Sequence, residues 1–385
     1  MIQRMAIKKL REMVEKFPVL VLTGPRQSGK TTLLKMCFPD YRYVSLENPQ
    51  QLYFALTDPE GFLALYDRYV IIDEVQNAPE LFSYIQQIVD DSDITGHYLL
   101  SGSQNMLLLE KITQSLAGRV YIQELLPLSY SEIIQLYDLS IEDLLVTGAY
   151  PRLYDKSIGP NDFYPSYIKT YVERDVRSIV NVQELNSFRK FMRLLAHQTG
   201  QLFNASEIAK KLQQNSKTIQ RWLSVLETSY IAFTLEPWHT NLSKRVVKTP
   251  KLYFFDTGLL CNLLGIKNKE DLINSTYKGA IFENFVLLEF MKHNKGMGKQ
   301  VEYNFWRDSN QNEIDLLVTE GMNLHCVEIK ASLTVRPEHI RALHYLDKLI
   351  PDHQMRHTLV NFFDETQQRS NETILSWKKV GEVSG

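Results

Sequence analysis

Three short stretches of this chain bring together residue types that do chemistry. The first is Gly24-Pro25-Arg26-Gln27-Ser28-Gly29-Lys30-Thr31, followed by Thr32, in the pattern G-x-x-x-x-G-K-[ST]. Its glycines let backbone N–H groups wrap phosphate oxygens, and a following helix adds positive potential at its N-terminus. In such a loop Lys30 reaches the β/γ phosphates and the Thr31 hydroxyl ligates Mg²⁺. ATP and Mg²⁺ are the cofactors this pattern predicts. The second stretch is Asp73-Glu74, which closes the apolar run "RYVII". An aspartate there holds the Mg²⁺ shell, and the adjacent glutamate polarises an attacking water. The third is "NEIDLLVTEGMNLHCVEIK", which carries Asp315, Glu328 and Lys330. Two carboxylates and a backbone carbonyl suit an oxygen-liganded Mg²⁺ or Mn²⁺. Lys330 would orient or activate water and stabilise a pentavalent phosphate. Glu283, in an apolar helical stretch upstream, adds an outer carboxylate.

These residues need elements to position them. A buried-type strand over Val19 to Leu22 leads into the glycine-rich loop, and a helix through Leu33 and Leu34 follows. Tyr69 to Ile72 form a second apolar strand. A third, in "HYLLSGSQ", ends at Ser101-Gly102-Ser103-Gln104, where a polar sensor of the γ-phosphate belongs; Ser103 and Gln104 are the candidates. Gly118-Arg119 precedes a further strand. Arg119 reads either as an arginine finger, acting in its own subunit or toward a neighbour, or as half of a structural ion pair. Around the third stretch we expect an amphipathic helix with Ile281, Phe285 and Leu288, then strands over 301–306, 313–319 and 324–330. The turn Glu320 to Asn323 lets Asp315 approach Glu328, and alternation puts Glu328 and Lys330 on one face. A helix with Ile340, Leu343 and Leu346 inward and a final strand "RHTLVNFF" complete this region. His339 and His344 read as decoration of that helix, with no chemistry assigned.

Between the two charged regions, "FNASEIAKKLQQNSKTIQRWLSVLETSYIAFTLEPW" reads as helix-turn-helix and strand. Ser206 is the expected cap of a short helix, Glu207 to Leu212. The second helix, Ser216 to Thr228, would bury Ile219, Trp222, Leu223 and Leu226. A second strand preceded by a basic wing makes this a winged-helix pattern. Lys217, Gln220 and Arg221 would then face a DNA major groove, with Lys244, Arg245 and Lys248 on phosphates. Alternatively the region contacts only protein. The charged "ERDVR" run at 173–177 reads as a contact to the nucleotide domain or as solvated salt bridges.

The ordered set "LTGPRQSGKTTLL", "VIIDEVQ", "LLSGSQ" and "SLAGRVYIQELLPLSYSE" resembles one branch of bacterial and archaeal AAA+ ATPases. That branch carries a C-terminal region related to PD-(D/E)XK nucleases. The match continues through "TGAYPRLYD" and "YIKTYVERDV", so it covers nearly the whole chain. The resemblance implies that Pro151 packs near the adenine. The order helical Glu283, then Asp315, then Glu328-x-Lys330 resembles the PD-(D/E)XK core, most closely its Holliday-junction-resolvase and restriction-enzyme branch. Such a fold serves either as a nuclease or as a binding and assembly domain.

Composition sets the limits. The chain has 385 residues, 44% of them hydrophobic, enough for two or three domains. Lys plus Arg (43) nearly balance Asp plus Glu (45), which argues against a histone-like coating protein but leaves room for a local basic patch. Three cysteines without a C-x-x-C suggest neither a disulfide framework nor a zinc site. No signal-type N-terminus and no run of about 18 apolar residues is present, so a cytoplasmic protein with no membrane contact is expected. The resulting expectation is an α/β chain: a P-loop AAA+ ATPase domain (1–155), a helical lid and winged-helix middle domain (156–265), and a PD-(D/E)XK nuclease-like α/β domain (266–385). It would hydrolyse ATP and act on DNA with Mg²⁺ or Mn²⁺, as a monomer or homo-oligomer. The alternative is an ATP-controlled switch or DNA-binding regulator without cleavage.

Overall fold

Strands that are apolar along their whole length need cover on both faces, which favours a parallel sheet between helices. The computed structural model describes residues 2–103, 112, 114–172, 184–238, 248–350 and 353–382. The chain forms two units, the first being Met1–Leu128 with Lys295–Lys299. In it, β1 (Val19–Thr23), β2 (Arg42–Ser45), β3 (Val70–Asp73), β4 (Tyr98–Ser101) and β5 (Val120–Glu124) form one sheet in the order β2-β3-β4-β1-β5. All neighbours are parallel. Residues of β1, β3 and β4 are buried throughout. Alternation splits them between two cores. Val19, Val21, Ile72 and Leu100 pack with Phe62, Phe82 and Ile85, while Leu20, Leu22, Ile71 and Leu99 pack with Leu10, Leu33 and Leu34. Ser101 of β4 lies in register with Leu22 on one side and Asp73 on the other. The carboxyl ends of β1, β3 and β4 therefore lie side by side, where ligands bind open parallel sheets.

The second unit comprises Ser129–Asn294 and Gln300–Gly385. A short helix, Ala205–Leu212, starts two residues earlier than Ser206 would allow as a cap. Asn204 caps it instead, its side chain accepting from the N–H groups of Ser206 and Glu207. The next helix, Ser216–Thr228, is capped by Asn215 and buries Ile219, Trp222, Leu223 and Leu226. Strands β6 (Ala232–Leu235) and β7 (Lys251–Phe254) form an antiparallel ribbon. Gln104, the 173–177 charge run, Lys244 and Arg245 lie outside the described residues.

After the helix Lys278–Gly296 comes a six-stranded mixed sheet. Its strands are β8 (Glu302–Arg307), β9 (Glu313–Glu320), β10 (Asn323–Ile329), β11 (Gln354–Asn361), β12 (Gln367–Gln368) and β13 (Thr373–Ser376), in the order β12-β13-β11-β10-β9-β8. β8 to β10 run as an antiparallel meander, and β10 pairs with β11 in parallel. A parallel pair needs a crossover. The helix Pro337–Leu349 provides it and packs Leu343 and Leu346 on Trp306, Ile314, Leu324 and Cys326. β10 is an interior strand, so edge protection does not explain its charged end. Among the described residues no helix is long and apolar enough to cross a membrane.

Candidate functional site

The glycine-rich loop joins β1 to the helix Lys30–Cys37. Gly24 has φ +140°, and a Cβ there would stand 2.2 Å from the Leu125 carbonyl oxygen, so only glycine fits. Gly29, at φ 92°, precedes the first helical residue and turns the loop onto the helix axis. Arg4 braces the loop from outside the motif: its guanidinium donates to the carbonyls of Ser28 (2.8 Å) and Leu126 (2.6 Å). Lys30 is buried, and its ammonium donates to the carbonyls of Gly24 (2.9 Å) and Pro25 (2.8 Å). Burial pulls the Lys30 ammonium down to about 8, with Glu74 and Asp73 acting against that fall. A phosphate oxygen is a stronger partner for this cation than two neutral carbonyls.

Asp73, at the end of β3, gathers three hydroxyls. Thr31 Oγ1 donates to it at 2.8 Å, Tyr43 donates at 3.0 Å, and Ser101 donates to its other oxygen. Glu74 follows at φ 56°, a left-handed conformation costing about 1–3 kcal/mol outside glycine. Gln76 donates to its carboxylate, and the Ser103 hydroxyl donates at 3.3 Å. A hydroxyl, a strand-end carboxylate and a cation thus converge at the mouth of the loop, with a second carboxylate beside them. This is a set able to hold a nucleotide's phosphates, a divalent ion and a water. Pro25, Arg26 and Gln27 complete the loop, and Thr32 is exposed on the first helical turn. Arg119 is bound through Nε and Nη2 by Asp90, an exposed pair in the same unit. Pro151 opens the helix Pro151–Asp155 of the second unit. The turn before that helix is anchored by buried Asp256, which accepts from the Ala149 N–H (2.7 Å) and the Tyr164 hydroxyl (2.6 Å).

The second charged cluster is built from β7, the helix Lys278–Gly296, β9 and β10. The antiparallel register that pairs Val327 with Leu316 puts Glu328 opposite Asp315 at the next step. Asp315 accepts from the Ile329 N–H at 2.8 Å, and both acids are more than nine-tenths buried. Lys330 lies 2.5 Å from Glu328 and 3.5 Å from Asp315. Burial and Asp315 push the Glu328 carboxyl up to about 8 against the pull of Lys330. The remaining oxygen, Glu328 Oε2, is buried and has no hydrogen-bond partner.

Lys251, from β7, enters the same cluster. Its ammonium stands 2.5 Å from Glu313, 3.3 Å from Glu283 and 4.0 Å from Asp315, and the residue is 2% exposed. Burial alone would pull this ammonium down, but Glu283 and its neighbours raise it well above its ordinary value. Tyr253, two residues along the same strand face, donates to Glu283 at 2.5 Å. Burial pushes the Glu283 carboxyl up while Lys251 opposes that rise. The sequence pattern singled out neither Lys251 nor Tyr253. Their i, i+2 spacing on a strand was visible, but nothing in the chain pointed that strand at Glu283.

On the exposed side of the helix Ser216–Thr228, Lys217, Gln220 and Arg221 point to solvent, and Arg221 pairs with Glu184 at 3.8 Å. Lys248 is exposed.

Residues 16–134 match the family model of an AAA domain. The first unit is accordingly a P-loop ATPase domain of the AAA type. Residues 138–270 and 278–380 match two domains of unknown function, DUF8612 and DUF4143. The uncharacterized protein Rv2008c of Mycobacterium tuberculosis is 32% identical over 337 residues, covering 86% of this chain and 74% of its own length. The chain belongs to the family of that protein. A Methanocaldococcus jannaschii relative, the uncharacterized protein MJ1544, is 23% identical over 348 residues, covering 81% of this chain and 74% of its own length. Among solved structures, the Walker-type ATPase PABY2304 of Pyrococcus abyssi is similar at 15% identity and TM-score 0.42, over 67% of this chain and 94% of that one.

Proposed function

We propose that this ATPase is a nucleotide-controlled protein whose second unit cleaves DNA through Asp315, Glu328 and Lys330. In the first unit Lys30 binds the β/γ phosphates, Thr31 and Asp73 hold Mg²⁺, and Glu74 polarises the water, with Ser103 reading the γ-phosphate. The helix pair Ala205–Leu212 and Ser216–Thr228 with the β6–β7 ribbon acts as a winged helix that binds the substrate backbone.

The observation that carries the cleavage reading is Glu328 Oε2, buried, unpartnered and beside Asp315. An unsatisfied buried carboxylate oxygen next to a second carboxylate fits a hard divalent ion. A bound Mg²⁺ or Mn²⁺ supplies polarisation of a phosphate oxygen and an activated water. Lys330 keeps a positive charge within 3.5 Å of both acids and stabilises negative charge developing on phosphate. The order of helix, three-stranded meander, helix and parallel strand supports the nuclease-like assignment. Single-stranded, duplex and branched DNA, incubated with Mn²⁺ and ATP, should give product with the wild-type chain and none with Asp315→Ala or Lys330→Ala. Cleavage that survives both substitutions would sink the assignment.

Lys251 favours a second reading, in which the chain is an ATP-controlled switch that binds DNA without cutting it. Its buried ammonium already pairs with Glu283 and Glu313 and lies 4.0 Å from Asp315, taking part of the role a metal would otherwise have. ATP-sensitive DNA retention without cleavage of any substrate would select this reading.

A further inference from the structure

The geometry points to a transition-metal site, suited to Zn²⁺, formed by His344, Asp347 and His357. None of these residues belongs to the clusters described above. His344 and Asp347 stand one turn apart on the helix Pro337–Leu349, so their side chains share a face. His357 comes from β11, which that helix crosses over to reach. Among the described residues, this is the one set of three or more His, Cys, Asp or Glu whose donor atoms all lie within 4.8 Å.

Each oxygen of Asp347 faces one ring nitrogen: Oδ1 lies 2.8 Å from His357 Nε2, and Oδ2 lies 3.7 Å from His344 Nδ1. These separations bracket the roughly 3.3 Å edge expected between donors about 2.0–2.1 Å from a tetrahedral zinc. The supporting shell is also present. His344 Nε2 is 3.3 Å from Glu372, and Glu372 is itself 3.7 Å from Arg369. A carboxylate on the distal nitrogen sets the tautomer that leaves Nδ1 free to ligate, as metal-bound imidazoles require.

His357 is 7% exposed and turns Nε2 to Asp347, so its Nδ1 is the distal nitrogen, buried and without a partner. The three residues line a cavity of about 450 Å³ whose wall also carries His353, Met355 and Asn371. His353 Nδ1 is likewise buried and unpartnered. Three protein donors beside a cavity leave an open coordination position, the arrangement of a reactive rather than a closed structural zinc. Two imidazoles with one carboxylate select Zn²⁺, Co²⁺ or Fe²⁺ over Mg²⁺.

Co²⁺, added to the full chain after chelator treatment, is the spectroscopic probe. Wild type and Asp315→Ala should each show a visible d–d band that saturates with one equivalent of Co²⁺ and is displaced by Zn²⁺, whatever further Co²⁺ the oxygen-liganded sites take up. In either background, His344→Ala and Asp347→Asn, both at partly exposed positions, should weaken Co²⁺ by more than about tenfold, since outer-shell partners alone are worth 10–100-fold. Circular dichroism checks that both variants fold. Absence of the band in wild type, or a band unchanged in folded His344→Ala and Asp347→Asn, overturns the site. So does a band that Asp315→Ala abolishes and His344→Ala spares.

Discussion

Lys30 and Lys251 are both buried, yet the first unit and the second handle their lysines in opposite ways. Lys30 rests on the neutral carbonyls of Gly24 and Pro25, and burial pulls it down to about 8. Lys251 sits among Glu283, Glu313 and Asp315, which hold it above its ordinary value. A cation on neutral dipoles is available to an incoming anion. A cation locked among carboxylates is part of the scaffold, and removing it leaves buried negative charge behind. The difference separates a lysine placed to meet phosphate from one already held by its own carboxylates.

The strongest test of that contrast is Lys30→Ala. ATP turnover should fall by at least about 10²-fold, because removing a single transition-state donor commonly costs that much. Unchanged phosphate release would remove Gly24 to Thr31 from the nucleotide site. Lys251→Met should instead act on stability, lowering it by about 3–5 kcal/mol, the usual cost of breaking a buried pair. Chemical denaturation reads this as a lower midpoint, and adding Glu283→Gln should restore part of it. A Lys251→Met chain as stable as wild type would mean that the carboxylates are not balanced by this residue.

A pH series separates Glu328 from its neighbours. Its folded-state carboxyl is pushed from 4.5 up to about 8, so the folded chain keeps a proton that the unfolded chain has released. The associated stability is full below about 4.5 and is lost as pH rises to about 8. Glu328→Gln should therefore gain on wild type in Tm between about pH 5 and pH 8.5. A difference that stays flat across that range contradicts the assignment. The smallest effect is expected for Arg119→Ala. Arginine fingers are worth 10³–10⁵ in turnover, but Asp90 holds this side chain, and ATP turnover should stay within about twofold of wild type. A thousandfold loss would show that the pair opens during turnover.

Legibility in the sequence followed sequence distance. Gly24 to Thr31 act through backbone that is continuous, and Asp73 ends an unbroken apolar strand, so local pattern was enough for both. Asp315 and Glu328 were readable because a two-residue strand period and a short turn set their register. Arg4, Tyr43 and Gln76 reach the nucleotide site from elsewhere in the fold and carry no motif of their own. Asn204 and Ser206 are both good capping residues. The extended backbone at Asn204 chose between them, and it is set by the packing of the helix that follows. Counting cysteines gave no zinc site, because the His344, Asp347 and His357 cluster spans a helix and a strand and contains no cysteine.

The sequence by itself determined the phosphate loop, the apolar strands around it and the acid–acid–lysine order near the C-terminus, all of which depend on contiguous residues and short periods. Only the tertiary structure decided that Lys251 enters the carboxylate cluster, that Asp90 takes Arg119, and that two histidines share Asp347. Those outcomes depend on which strands pair and which helix crosses over. Charge then redistributes among whatever side chains the packing brings within a few ångströms, at an interior dielectric low enough for each neighbour to matter.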